Sequence, residues 1–270
     1  MSQAGIRKAG HGGKALITGA GKRLGRAMAL YLAARGHDVA LHYAASRTGA
    51  EATADEARAL GVQAVTLQAD LLDENQTLAL VERAAQALGG PLTVLINNAS
   101  IFEYDTLHSA TLESWNRHIG SNLRAPFVLT QRFAAQAPCA VRDERGEPSA
   151  RAMVINMIDQ RVRKLTPEFM TYTLAKMGLW ALTRTAAQAL APDIRVNAIG
   201  PGPTLRGIRQ TTDHFARQRA NTVLGRGANP EDVTAALGYF LDAPGVTGQL
   251  LCVDGGQHLG WQTPDVLGVE

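Results

Sequence analysis

Short apolar or β-branched runs alternate with helix-length stretches along most of the chain, and this alternation constrains the fold more than any other feature. Ala15 to Thr18, Val39 to Tyr43, Ala64 to Gln68, Leu92 to Ile96, Ala152 to Met157, Ile194 to Ala198 and Leu250 to Val253 read as seven strands. Arg23 to Arg35, Ala50 to Leu60, Glu74 to Leu88, Leu112 to Ala135 and Glu168 to Leu190 read as helices between them. A further helix opens at Asn229-Pro230-Glu231-Asp232, where Asn suits the cap, Pro the first turn and two acids the positive dipole end. A crossover helix between successive strands makes the sheet parallel, with helices on both faces. The expected fold is therefore a single-domain, Rossmann-type, doubly wound α/β sheet of seven parallel strands. Residues 1–13 are polar and glycine-rich and read as a flexible tail before a domain spanning 14–270.

Composition narrows the classes of partner. Apolar residues make up 46% of 270 and charged residues 19%, which excludes a mostly disordered chain. The longest apolar runs, such as Val233 to Leu241, fall far short of the ~20 residues of a membrane span. Cys139 and Cys252 lie far apart, pointing to a reducing compartment and no disulfide framework. The histidines are scattered without metal-ligand spacing, so no metal is expected. A net charge of +3 without a basic block argues against nucleic acid. The expectation is a cytoplasmic protein with neither a membrane nor a nucleic-acid partner. Two segments read as loops: Pro138 to Ser149, charged and solvated, and Pro201 to Thr212, a candidate flap.

The first strand runs straight into Thr18-Gly19-Ala20-Gly21-Lys22-Arg23-Leu24-Gly25 and then a helix. Glycines permit a tight turn, and the helix N-terminus offers free N–H groups and positive dipole to a pyrophosphate. In dinucleotide sites a carboxylate at the C-terminal end of the second strand holds the ribose 2′-hydroxyl. Asp38 lies at the wrong end of that strand. The correct end reads His42-Tyr43-Ala44-Ala45-Ser46-Arg47, with a hydroxyl and a guanidinium but no acid. An arginine fork suits a 2′-phosphate, so the cofactor expected is NADP(H). Asp70, closing the third strand, is placed either to accept from the adenine amino group or to cap a helix.

Tyr172 and Lys176 stand four apart on one helix and share a face. A lysine ammonium beside a phenol favours phenolate and is expected to lower the tyrosine pKa. Asp159 lies thirteen residues earlier at the same sheet edge, and Asn122 in the long helix before it. Taken alone, Phe102 reads equally as core, and the plainer alternative for Asp159 is a helix cap or a surface ion pair.

These pieces resemble the short-chain dehydrogenase/reductase family over nearly the whole chain. The glycine turn, Asn97-Asn98-Ala99-Ser100, Asn122, Tyr172-x-x-x-Lys176, Pro201-Gly202 and Val253-Asp254-Gly255-Gly256 fall in the family's order. Two departures, Arg23 in place of a third glycine and Asp159 in place of a serine, resemble the pteridine reductase branch, as does Asn98-Ala99-Ser100-Ile101-Phe102. The resemblance implies cofactor contacts from Gly19, Lys22, Arg23, Leu24, Tyr43, Ser46, Arg47, Asp70, Leu71, Asn98, Ala99, Ser100, Tyr172, Lys176, Pro201, Gly202 and Thr204. It implies substrate contacts from Arg23, Ser100, Phe102, Asp159 and Tyr172, with Phe102 stacked on a flat pterin. Tyr172 would be the proton donor and Lys176 would hold the nicotinamide ribose. Asp159 would replenish the proton through water ordered by Asn122.

The activity implied is NADPH-dependent reduction of a dihydropteridine, dihydromonapterin, dihydrobiopterin and dihydrofolate included. The alternatives are a reductase of a 3-oxoacyl thioester, sugar or other ketone, and a non-catalytic NADP(H)-binding regulator. The helix from Glu168 to Leu190 is apolar on nearly every side, so a subunit interface is expected over it. The resemblance implies a homotetramer, with the C-terminal tail around Trp261 reaching toward a neighbour's site.

Overall fold

The computed structural model describes residues 12–207 and 210–261. The tail expected over residues 1–13, two residues of the flap and the end of the chain beyond 261 lie wholly or mostly outside them. The described residues form one Rossmann-type α/β domain. Seven strands build the main sheet: β1 (Lys14–Ile17), β2 (Asp38–Tyr43), β3 (Ala64–Gln68), β4 (Val94–Asn97), β7 (Ala152–Met157), β8 (Ile194–Pro201) and β9 (Leu250–Val253). Every pairing is parallel, in the order β3-β2-β1-β4-β7-β8-β9. The chain winds outward from β1 to β3, then returns to β4 on the other side of β1. The carboxyl ends of β1 and β4 thus flank the crevice where such sheets bind ligands.

Period-two alternation explains why both faces carry helices. Ile17, Ile96 and Ile155 face Met28 and Leu32 of α1 (Arg23–Ala34) and Leu237 and Phe240 of α8 (Pro230–Asp242). Their neighbours Leu16, Leu95 and Val154 point the other way. They meet Leu80 of α3 (Glu74–Ala87) and Leu129 and Phe133 of α5 (Ala125–Ala134). The remaining helices are α2 (Arg47–Ala59), α4 (Leu112–Ile119), α6 (Met170–Ala189) and α7 (Thr212–Ala220).

Three elements differ from expectation. The helix read as continuous from Leu112 to Ala135 is α4 and α5 joined by a π-helical turn, Gly120–Arg124. Pro126 has no N–H to give the carbonyl four residues back, and the ladder shifts by one, with Ala125 N–H donating to Gly120 O. The Pro138–Ser149 excursion contains a small antiparallel hairpin, β5 (Val141–Arg142) with β6 (Pro148–Ser149). Helix α7 follows the flap and buries none of its residues, so it carries no apolar stripe for the eye to find in the sequence.

Candidate active site

The turn after β1 is held from three sides. The Thr18 hydroxyl donates to Ile96 O and accepts from the backbone N–H groups of Asn98 and Ala99, each at 2.9 Å. The Asn98 amide donates to Thr18 O at 2.8 Å and to Gly19 O at 3.2 Å. Gly19 sits at φ +65, a left-handed conformation, and a Cβ on Gly25 would lie 2.2 Å from Gly19 O. The closeness of turn and helix therefore requires glycine at both positions. His42 is the third tie: Nδ1 accepts from Gly19 N–H at 3.2 Å, and Nε2 bonds Ala69 O at 3.0 Å.

The cradle fits a dinucleotide. Lys22, the N-cap of α1, makes no side-chain cap, and no acid stands in the first turn. Nothing anionic competes there for the N–H groups and the positive dipole. The N-terminus of α2 has the same character: Ser46 makes no cap bond, Arg47 is exposed and no acid is near the start. Tyr43 closes β2 beside it. Asp38 starts β2 at the far edge and accepts from Gln63 N–H. Asp70 is exposed, accepts from Leu72 N–H at 2.9 Å, and is followed by buried Leu71.

Arg23 takes φ 56, left-handed although it is not glycine. Its guanidinium donates to Arg206 O at 2.8 Å and Leu205 O at 2.9 Å, so it joins the cradle to the flap. The flap leaves β8 through Pro201-Gly202. A Cβ on Gly202 would lie 2.5 Å from Asp254 Cβ, and buried Thr204 donates to Gly202 O. Asp254 itself accepts from Gly256 and His258 N–H groups, which gives the Val253-Asp254-Gly255-Gly256 motif a structural role.

The reactive groups gather at the ends of β4 and β7 and the first turns of α6. Asp159 Oδ1 accepts from Arg161 N–H at 2.8 Å, and Oδ2 accepts from the Tyr172 hydroxyl at 3.0 Å. The Lys176 ammonium donates to Met157 O at 2.8 Å, with its Nζ 5.6 Å from the Tyr172 ring centre. Burial pushes Asp159 above the usual carboxylate range and brings Lys176 down to about 8. Tyr172 goes the other way from the sequence expectation. Burial, then the adjacent Asp159 carboxylate, push it well above the ordinary phenol value. The Lys176 ammonium is turned to the Met157 carbonyl, and Tyr172 stands as a neutral phenol rather than a phenolate.

Phe102 is 45% exposed. Its ring stacks on Phe169 at 4.3 Å and meets the Tyr172 ring edge-on at 4.7 Å. Ser100, exposed at the same loop, places its hydroxyl where a bond to the Tyr172 phenol partly offsets the upward shift. Asn122 lies in the π-helical turn. Its amide donates to Ile101 O at 2.8 Å and accepts from Ile101 N–H at 2.9 Å. Both ends of that side chain are thus engaged in pinning the Phe102 loop.

Sequence reading placed His42 at the end of the second strand but not its tie to the Gly19 turn, and it missed Phe169. Phe169, the N-cap residue of α6 at φ 56, makes no side-chain cap; its ring supports Phe102 and lies 5.1 Å beneath the Arg161 guanidinium. No periodicity marks such a residue.

A family model described as Enoyl-(Acyl carrier protein) reductase matches residues 19–258. The 3-oxoacyl-[acyl-carrier-protein] reductase FabG of Staphylococcus aureus is 30% identical over 250 residues, covering 91% of this chain and 98% of its own. Among solved structures, the FolM alternative dihydrofolate reductase 1 of Brucella canis, complexed with NADP, is 40% identical with a TM-score of 0.87. That match covers 95% of this chain and 98% of the other. A blue fluorescent protein from a metagenomic library, in complex with NADPH, is 31% identical with a TM-score of 0.82, covering 92% and 98%.

Proposed function

Because the chain belongs to the short-chain dehydrogenase/reductase family and is an oxidoreductase, we propose that it reduces a dihydropteridine to the tetrahydro form with NADPH. The observation that carries this reading is the Asp159 carboxylate on the Tyr172 phenol, 3.0 Å away, beside the Phe102 ring. A pterin presents an amino group and ring nitrogens, which a carboxylate can receive. The 40% identity with the FolM dihydrofolate reductase of Brucella canis supports the same class.

NADPH would lie with its pyrophosphate on the Gly19–Leu24 turn, its 2′-phosphate against Tyr43, Ser46 and Arg47, and its adenine by Asp70 and Leu71. Asn98, Ala99, Ser100, Pro201, Gly202 and Thr204 would line the nicotinamide end. Bound there, it supplies the hydride to the ring C=N carbon. Tyr172, a neutral phenol, donates its proton to the adjacent nitrogen. Asp159 accepts from the pterin edge and returns a proton to Tyr172 from solvent. Lys176 holds the nicotinamide ribose. Arg23 reaches pyrophosphate and pterin together, exchanging the flap carbonyls for them. Phe102 stacks on the ring.

A second reading, reduction of a 3-oxoacyl thioester, is favoured by the identity with FabG of Staphylococcus aureus. The test is loss of NADPH absorbance with dihydropterins and dihydrofolate beside an acetoacetyl thioester. Turnover of the pterins is expected. Turnover of the thioester alone would overturn the pteridine reading. Tyr172→Phe is expected to lose about 10²–10⁴ in turnover with NADPH binding intact, and near-normal turnover would remove Tyr172 from its role.

Assembly as a homotetramer belongs to the same proposal. Leu112 is 76% exposed and Phe127 50%, with Trp115, Leu174 and Met177 also open on α4, α5 and α6. Copies of the chain would cover them. Among the described residues no helix is long and apolar enough to cross a membrane.

A further inference from the structure

Helix α6 carries Tyr172, yet it begins without a cap of its own. Its N-cap residue, Phe169, lies in the left-handed region; its carbonyl takes Thr173 N–H at 2.8 Å, but its side chain makes no cap bond to the N–H groups before that. The first N–H groups of a helix need partners, and here they come from another part of the chain. Asp105, in the loop after β4, takes Met170 N–H on its carbonyl at 3.3 Å and Thr171 N–H on Oδ1 at 3.1 Å. Its Oδ2 accepts from the Thr171 hydroxyl and from the Ser114 hydroxyl of α4. The residue is 2% exposed. Burial alone would raise its pKa, but the bonds from Thr171 and Ser114 outweigh it and hold the carboxylate ionised.

A second buried group completes the network. His118 of α4 is wholly buried and 6.0 Å from the Tyr172 ring. Its Nε2 faces the Glu103 N–H at 3.1 Å and its Nδ1 the Thr171 hydroxyl at 2.7 Å. A backbone N–H can only donate, so Nε2 is the acceptor and Nδ1 carries the proton. Burial keeps the ring neutral by lowering its pKa. The bonds then run one way, from Glu103 N–H through His118 and Thr171 to Asp105. The two ends are a group that can only donate and one that can only accept.

We propose that Asp105 is a positioning residue for the reaction, acting through Thr171 and His118 to fix Tyr172 and Phe102 against each other. The geometry supports this because one network holds both partners. Thr171 is the chain neighbour of Tyr172, and Glu103 is the chain neighbour of Phe102. The proposal rests on the reading of Tyr172 as proton donor. Displacement of a reacting group by about 1 Å costs about a hundredfold in rate, so a loosened first turn of α6 acts on turnover rather than on cofactor affinity.

Three variants test it, assayed on whichever substrate of the panel the native protein reduces. Asp105→Asn puts an NH₂ where only an acceptor fits, and reversing the chain would set His118 Nε2–H against Glu103 N–H. Thr171→Val keeps the shape and removes the hydroxyl. Thr171→Ser restores the hydroxyl. Asp105→Asn and Thr171→Val are expected to lower kcat about tenfold or more, with NADPH Kd within about twofold, and Thr171→Ser to recover most of the loss. A folded Asp105→Asn or Thr171→Val that keeps kcat within about twofold of native overturns the proposal. So does a Thr171→Ser as impaired as Thr171→Val. If Asp105→Asn does not fold by circular dichroism, the threonine pair decides. Tyr172→Phe runs alongside. An inactive Tyr172→Phe with a fully active Thr171→Val rejects the network alone, whereas an active Tyr172→Phe rejects the proton-donor reading beneath it.

Discussion

Arg23 shows how one residue serves the site at a conformational cost. It occupies a left-handed position that glycine fills without penalty, and an L-residue there costs roughly 1–2 kcal/mol. Arg23→Gly should therefore be more stable than Arg23→Ala by about 1 kcal/mol in urea unfolding, since both lack the guanidinium and differ in backbone freedom. Equal stabilities would show that the turn is not strained. His42 carries the clearest dependence on pH. Burial brings it from 6.5 down to about 4. Between those values the unfolded chain binds a proton that the folded chain refuses. Stability is full above pH 6.5, falls as pH drops toward 4, and loses about 3 kcal/mol in all. His42→Gln should flatten this slope in a series of unfolding curves, and an unchanged slope would place the titration elsewhere.

At the scale of elements, the loop after β4 is the piece on which the site depends most. It has no regular structure, and it is tied to the π-helical turn by Asn122 and to α4 by His118. Asn122→Ala would leave Ile101 N–H and C=O without these partners, at a cost of about 1–3 kcal/mol. The expected result is a lower melting temperature together with a raised KM for the ring substrate, because the same bonds aim Phe102. A lower melting temperature with unchanged KM would show that Phe102 does not depend on this pin.

For the molecule as a whole, the open apolar side chains of α4, α5 and α6 bear on assembly. Phe127→Glu sets a charge where the proposed copies would meet. It is expected to reduce the mass seen by light scattering while leaving the monomer's circular dichroism unchanged. A native protein that is already a monomer at assay concentration would overturn the tetramer.

The alternation of apolar runs with helical stretches determined the seven parallel strands, because each strand buried on both faces needs a run of Leu, Ile, Val and Ala and each crossover needs a helix. The residues of the Gly19 turn and the Tyr172 and Lys176 pair on α6 were legible for the same reason: motifs tied to an element travel with it. What only the tertiary structure decided lies in contacts between distant loops. The phenol of Tyr172 is raised and not lowered, because burial and Asp159 outweigh Arg161 and Ser100, while the Lys176 ammonium donates to Met157 O. Asp105 meets Thr171 across 66 positions of chain, and Phe169 meets Phe102 from the other side of α4 and β7. Period and spacing describe neighbours within a few residues. A carboxylate that caps another segment's helix leaves no mark in either segment's pattern.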